Sequence, residues 1–251
     1  MGARARVVHS RTVRYWTGSW DGLRFAYEPA RVPLDDEARE AVAREFAAER
    51  AVNPSLFDGP LLTCTGVELD DDRGPRFVLG QSSYAPYLWA RRASRPRKGL
   101  YAVGTGVLVH ERESDRWALF SRGDAVAFDR WRIGTIGGVA TPPLDPTQDV
   151  ARHLVAVSAV ELDEELALDA PVDPDTLRFV GASLDEQTLK LELLFRVEVQ
   201  RCALRGAENT HVVRVAKGEL ARHFSRNEGR YESSTAVHLR NVAAHLDADR
   251  C

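Results

Sequence analysis

The segment from Gln148 to Leu168, QDVARHLVAVSAVELDEELAL, constrains this chain more than any other. Its apolar residues recur with helical period. At ~100° per residue Val155, Ala159, Leu162 and Leu166 share one stripe that can pack on a core. Glu161, Glu164 and Glu165 fall on the opposite side at spacing i, i+3, i+4, with Asp163 on the flank. As plain structure this is unfavourable. Like charges at i, i+4 repel by a few tenths of a kcal/mol. Acids in the last turns also oppose the helix dipole, by ~0.3–1 kcal/mol each. Leu154, Val157 and Leu168 lie on or near the acidic face, so it is only partly solvated, and bare charge there costs more. A divalent cation reverses the sign of these terms. Oxygen-only ligands suit Mg²⁺, with Mn²⁺ as the alternative. Taken alone, the run also fits a solvated acidic helix end.

The remainder of the chain limits the surroundings of this helix. Its 251 residues suffice for one large domain or two small ones. A net charge of −3, from 34 basic and 37 acidic residues, gives no reason to expect a nucleic-acid partner. Cys64, Cys202 and Cys251 form no C-x-x-C pair, which argues against a thiolate zinc site and fits a reducing compartment. The N-terminus has no apolar signal core, and no run approaches ~20 apolar residues, so no membrane partner is expected and a cytoplasmic location follows by elimination.

Along the chain, a helix is expected over 34–51, and strands near 61–69 and 75–80. The basic stretch Arg91–Gly99, RRASRPRKG, marks a boundary near residue 98. Beyond it strands are expected at 100–111, 116–122, 131–140, 176–184 and 189–200, and helices at 148–168 and 218–224. A short strand and a final amphipathic stretch should follow Ser234. This order departs from regular βαβ alternation and predicts an α/β fold with a mixed sheet packed by helices. There is no G-x-G-x-x-G fingerprint, since Val109 stands where the third glycine is required, no G-x-S-x-G elbow and no H-E-x-x-H motif.

With VELDEELAL at 160–168 and the approach from Trp131 to Gly137-Gly138, the chain resembles the Nudix hydrolase family. Glu161, Glu164 and Glu165 match the three metal-binding glutamates of the family box. Val160 replaces the box arginine, Ala167 its glycine, and Ile136 the proline before the glycine pair. The connecting loop is longer and lacks a loop glutamate. These departures are similar to those of the UDP-glucose/UDP-galactose diphosphatase branch. So is the order of LFDGP (56–60), SSYAPYL (82–88), GTGVLV (104–109) and YESST (231–235).

The resemblance implies a Nudix-type α/β/α sandwich over 99–251, preceded by a smaller α+β subdomain over 1–98. It implies a Mg²⁺-dependent hydrolase that takes a nucleoside diphosphate conjugate as its small-molecule substrate and converts UDP-glucose or UDP-galactose to UMP and a sugar 1-phosphate. Glu161, Glu164 and Glu165 are the expected metal ligands. Glu161 and Glu232 are alternative proton acceptors for the attacking water. Tyr84, Arg122, Arg132, Gly137 and Gly138 are the candidate substrate contacts. Two other readings stay open: a Nudix-fold module that binds or senses a nucleotide without cleaving it, and a diphosphatase for another conjugate such as ADP-ribose or a dinucleotide.

Overall fold

In the computed structural model of the chain, residues 6–9, 13–54, 56–70, 74–92, 99–123, 131–205 and 208–248 are described, the first four by backbone alone. In chain order they form β1 (Arg6–His9), β2 (Val13–Thr17), β3 (Arg24–Arg31), α1 (Asp36–Val52), β4 (Pro60–Glu68), β5 (Arg76–Ser83), α2 (Tyr84–Arg92) and β6 (Tyr101–Glu111). There follow β7 (Arg116–Arg122), β8 (Ile133–Gly134), α3 (Val150–Glu165), β9 (Leu166–Ala167), β10 (Arg178–Asp185) and β11 (Lys190–Val199). The chain closes with β12 (Ala203–Leu204), β13 (Asn209–Ala216), α4 (Leu220–Asn227) and α5 (Ser233–Ala248). Strand pairs of both senses make the sheet mixed, and helices pack on it, which is an α/β fold. No helix among the described residues is long and apolar enough to cross a membrane.

The chain forms two compact units. The first comprises 1–104, 139–153 and 184–191. Here β3 runs parallel to β5, with Phe25 opposite Phe77, while β4 runs antiparallel to β5. Aromatic packing fills this core: Trp16 meets Phe77 edge-on at 5.2 Å, and Phe25 stacks on Phe77 at 5.5 Å. Helix α1 opens on Asp35, whose carboxylate accepts from the Ala38 N–H at 2.7 Å. Asp58 accepts from the Ala85 N–H at the start of α2, also at 2.7 Å. The expected linker is described only in part, because residues 93–98 lie outside the described residues.

The second unit comprises 105–138, 154–183 and 192–251. In it β7 pairs antiparallel with β6, β8 and β13. Strand β13 lies outside the expected strands; HVVRVA is rich in β-branched valine but has no polar–apolar alternation. Helix α4 is anchored by Asp247 of α5, whose carboxylate accepts from the N–H groups of Gly218, Leu220 and Ala221 at 2.9–3.1 Å.

Two expectations need correction. The strand expected over 131–140 shrinks to Ile133–Gly134, with isolated bridges at Ile136 and Val139. Trp131 adopts φ 62° and Gly137 φ 145°, conformations that interrupt a regular ladder. The short strand expected after Ser234 is instead the start of α5, a 16-residue helix that buries Thr235, Ala236, Val237, His238 and Leu239 in succession. Tertiary packing there overrides the strand preference of its β-branched residues. Cys64 and Cys202 are buried free thiols, and Cys251 lies outside the described residues.

Candidate functional site

Helix α3 places its glutamates in three different environments. Glu165 is buried, at 7% exposure, Glu161 is half-buried and Glu164 is exposed. Helical geometry accounts for this. Glu161 and Glu165 stand ~40° apart on the helix, whereas Glu164 stands ~100° from Glu165 and reaches the rim. Among the described residues no three His, Cys, Asp or Glu side chains are gathered to hold an ion. Glu161 and Glu165 thus lie on the more buried side of the helix, and Glu164 is in solvent.

The pair sits in negative surroundings. Burial, then the charges of Glu208 and Glu161, push the Glu165 carboxyl up to about 7, against the pull of Arg122 and a hydrogen bond from Asn209. Asn209 Nδ2 donates to Glu165 Oε2, and the Arg205 N–H donates to the Glu165 carbonyl at 2.8 Å. Glu161 reaches across to the glycine pair. A Cβ at position 138 would stand 2.9 Å from Glu161 Oε1, so glycine there admits the carboxylate. Gly137 is required for a different reason. Its φ of 145° is a conformation L side chains rarely adopt, and a Cβ there would stand 1.9 Å from the Thr105 carbonyl oxygen.

Arg122 closes β7 and points inward, with its side chain 19% exposed. Its Nη1 donates to Glu232 Oε2 at 3.0 Å, and its Nη2 stands 3.8 Å from Glu208 Oε2. Burial disfavours its charge, but Glu232 and Glu208 more than offset this and raise its pKa. Glu232 immediately precedes α5. It is buried, at 5% exposure. Its Oε1 accepts from Thr235 Oγ1 at 2.7 Å and from Ser234 Oγ at 3.1 Å.

The structure thus gathers Glu161, Glu165, Gly137, Gly138, Arg122 and Glu232 within the second unit. Arg132 is exposed, and its guanidinium donates to the Gly229 carbonyl. Tyr84 belongs to the first unit, where its ring lies 5.9 Å from that of Tyr87. Sequence reasoning missed Glu208 and Asn209, which precede and open the unexpected strand β13. The β-branched valines of HVVRVA are the local signal that places them at a strand mouth.

No protein-family model and no curated protein matches the chain. Solved structures do. The chain is similar to a NUDIX hydrolase from Alicyclobacillus acidocaldarius, at 14% identity over 55% of this chain and 89% of that one, with a TM-score of 0.39. It is similar to a MutT protein from Methanosarcina mazei Go1, at 15% identity over 59% and 94% of the two chains, with a TM-score of 0.38. It is also similar to a bifunctional NMN adenylyltransferase/ADP ribose pyrophosphatase from Francisella tularensis, complexed with AMP and a manganese ion. That match has 12% identity over 64% of this chain and 46% of that one, with a TM-score of 0.43.

Proposed function

We propose that the second unit is a Nudix-type diphosphatase that hydrolyses a nucleoside diphosphate conjugate, with UDP-glucose and UDP-galactose as the first substrates to test. The observation that carries this reading is the juxtaposition of a crowded carboxylate pair, Glu161 and Glu165, with an inward-facing arginine, Arg122. Glu161 and Arg122 act on Glu165 in opposite directions, Glu161 raising its carboxyl pKa and Arg122 lowering it.

The donor set fits a hard divalent cation. Mg²⁺ binds through one or two carboxylates, keeps several waters and bridges to substrate phosphates, so a two-carboxylate site suits it better than a closed cage would. Glu161 and Glu165 would hold the ion, which neutralises phosphate oxygens and acidifies water when bound. The chain's own groups do the rest. Arg122 orients a non-bridging phosphate oxygen. The water oxygen forms a new bond to one phosphorus, the bridging P–O bond breaks, and its electron pair leaves with the second phosphate. Both oxygens of Glu232 already accept hydrogen bonds, which argues against Glu232 as the proton acceptor, and Glu161 is the other candidate. The products are two phosphate monoesters, UMP and a sugar 1-phosphate for a UDP-sugar.

One observation favours a second reading. Glu164 is exposed and no three-ligand group forms among the described residues, as expected of a module that binds a nucleotide conjugate without cleaving it. A panel of UDP-glucose, UDP-galactose, ADP-ribose and a dinucleotide, incubated with Mg²⁺ and read for phosphate monoesters, tests both. Turnover of a UDP-sugar supports the proposal. Turnover only of another conjugate keeps the reaction and replaces the substrate. Tight binding of one member with no turnover of any supports the module.

A further inference from the structure

We infer that Glu232 is a positioning residue, which fixes the Arg122 guanidinium at the diphosphate site and takes no proton from water. This inference rests on the diphosphatase reading of the same site.

Three observations carry it. First, the Glu232 carboxylate is closed off. It is 5% exposed, and its two oxygens accept from three side chains: Arg122 Nη1 at 3.0 Å, Thr235 Oγ1 at 2.7 Å and Ser234 Oγ at 3.1 Å. A general base must lie within hydrogen-bond reach of the proton it removes, and here that reach is taken by protein donors. Second, the backbone holds Glu232 in place. Its N–H donates to the Ile133 carbonyl at 2.9 Å, and its carbonyl accepts from the Ala236 N–H at 2.9 Å. Position 134 is glycine, and a Cβ there would stand 2.8 Å from Glu232 Cδ. The carboxyl therefore fills a slot shaped for it.

Third, Arg122 is only partly satisfied. Glu232 holds Nη1, Nε is buried with no hydrogen-bond partner, and Nη2 stands 3.8 Å from Glu208 Oε2, beyond hydrogen-bond distance and left to meet substrate. An arginine presents a planar fork of five donors, and a donor left over in a buried position is costly unless an acceptor arrives. A non-bridging oxygen of the diphosphate is an acceptor of the right charge. Holding the guanidinium beforehand removes rotamer entropy that substrate binding would otherwise have to offset.

Steady-state kinetics across pH, on the best substrate of the panel, tests the inference with wild type, Glu232→Gln, Arg122→Met and the double variant. The glutamine keeps the shape of the slot and still accepts from Thr235 and Ser234, so it separates loss of the Arg122 contact from loss of fold. The expected result for Glu232→Gln is a KM raised by about tenfold, with kcat lowered less and the shape of the kcat pH profile unchanged. Arg122→Met should raise KM similarly, and the double variant should be no worse than Arg122→Met alone. Loss of the acid limb of the profile in Glu232→Gln, or multiplicative effects in the double variant, overturns the positioning role and leaves the diphosphatase reading standing. Absence of turnover by wild type on every conjugate overturns the diphosphatase reading itself, and the role with it.

Discussion

Two buried glutamates of the second unit, Glu111 at the end of β6 and Glu165 at the end of α3, have opposite fates. Glu111 is fully compensated. Arg214 grips it in bidentate fashion, Nε to Oε2 at 2.8 Å and Nη2 to Oε1 at 3.0 Å. The Cys202 N–H and Ser114 Oγ add bonds at 3.0 Å each. Burial alone would push its carboxyl up, but these donors together bring it down to about 2. Glu165 is also buried, at 7% exposure against 1% for Glu111, but has no such compensation. Burial and two like charges outweigh Arg122 and Asn209, and its carboxyl rises to about 7. A carboxylate satisfied by protein donors stabilises a fold, whereas one crowded by other acids has the perturbed pKa that functional sites share.

The sharpest way to break this comparison is to neutralise each acid in turn. Glu165→Gln should lower turnover by at least about 100-fold, the scale for losing a group that stabilises transition-state charge. It should leave the melting temperature of the metal-free protein equal or higher, because the amide removes repulsion from Glu161 and Glu208. Equal loss of fold and activity would count against the functional role. Removing the partner of Glu111 should act the other way. Arg214→Ala leaves that carboxylate buried and half-satisfied, and should cost about 2–3 kcal/mol in denaturant unfolding at neutral pH, with turnover per folded molecule intact. The Arg214 side chain is 36% exposed, which places the expected cost at the lower end for a buried pair.

The contrast also reaches pH and metal dependence. Glu111 has a folded pKa depressed from 4.5 to about 2, so its contribution is present above 4.5 and is lost as pH falls toward 2. Acid titration of unfolding free energy should show this loss in wild type and a shallower decline in Glu111→Gln. A decline of equal steepness in both would locate the acid sensitivity elsewhere. The smallest expected effect is stabilisation by Mg²⁺. At a free concentration tenfold above its Kd, the ion should add about 1.4 kcal/mol. Calorimetric melts should show the gain in wild type and none in Glu165→Gln.

The parts of this arrangement legible in the sequence are those encoded by local periodicity. Helix α3 announces itself through regular apolar spacing, and the i, i+4 relation alone brings Glu161 and Glu165 together. Strand β7 shows equally well, since Trp117 to Phe120 form an apolar run inside Arg116–Arg122. The rest depends on contacts distant in sequence. Arg122 and Glu232 are 110 residues apart, and nothing local to either one indicates the pair. Asn209 meets Glu165 across 44 residues, from a strand that lacks polar–apolar alternation. Most of α5 shows as an amphipathic stretch, and only its start reads as a strand, because Thr235 to Leu239 are buried in succession and mask the helical period. Spacing places Glu164 with its neighbours, and only the solvent boundary of the folded unit separates it from them.

Anomalous diffraction from crystals holding Mn²⁺ and a nonhydrolysable nucleoside diphosphate conjugate tests the central claim most directly. The account predicts a metal peak bound by the carboxylates of Glu161 and Glu165, with Arg122 on a phosphate oxygen and Glu232 still behind it. A metal and conjugate bound elsewhere, with both carboxylates facing only solvent, would contradict it.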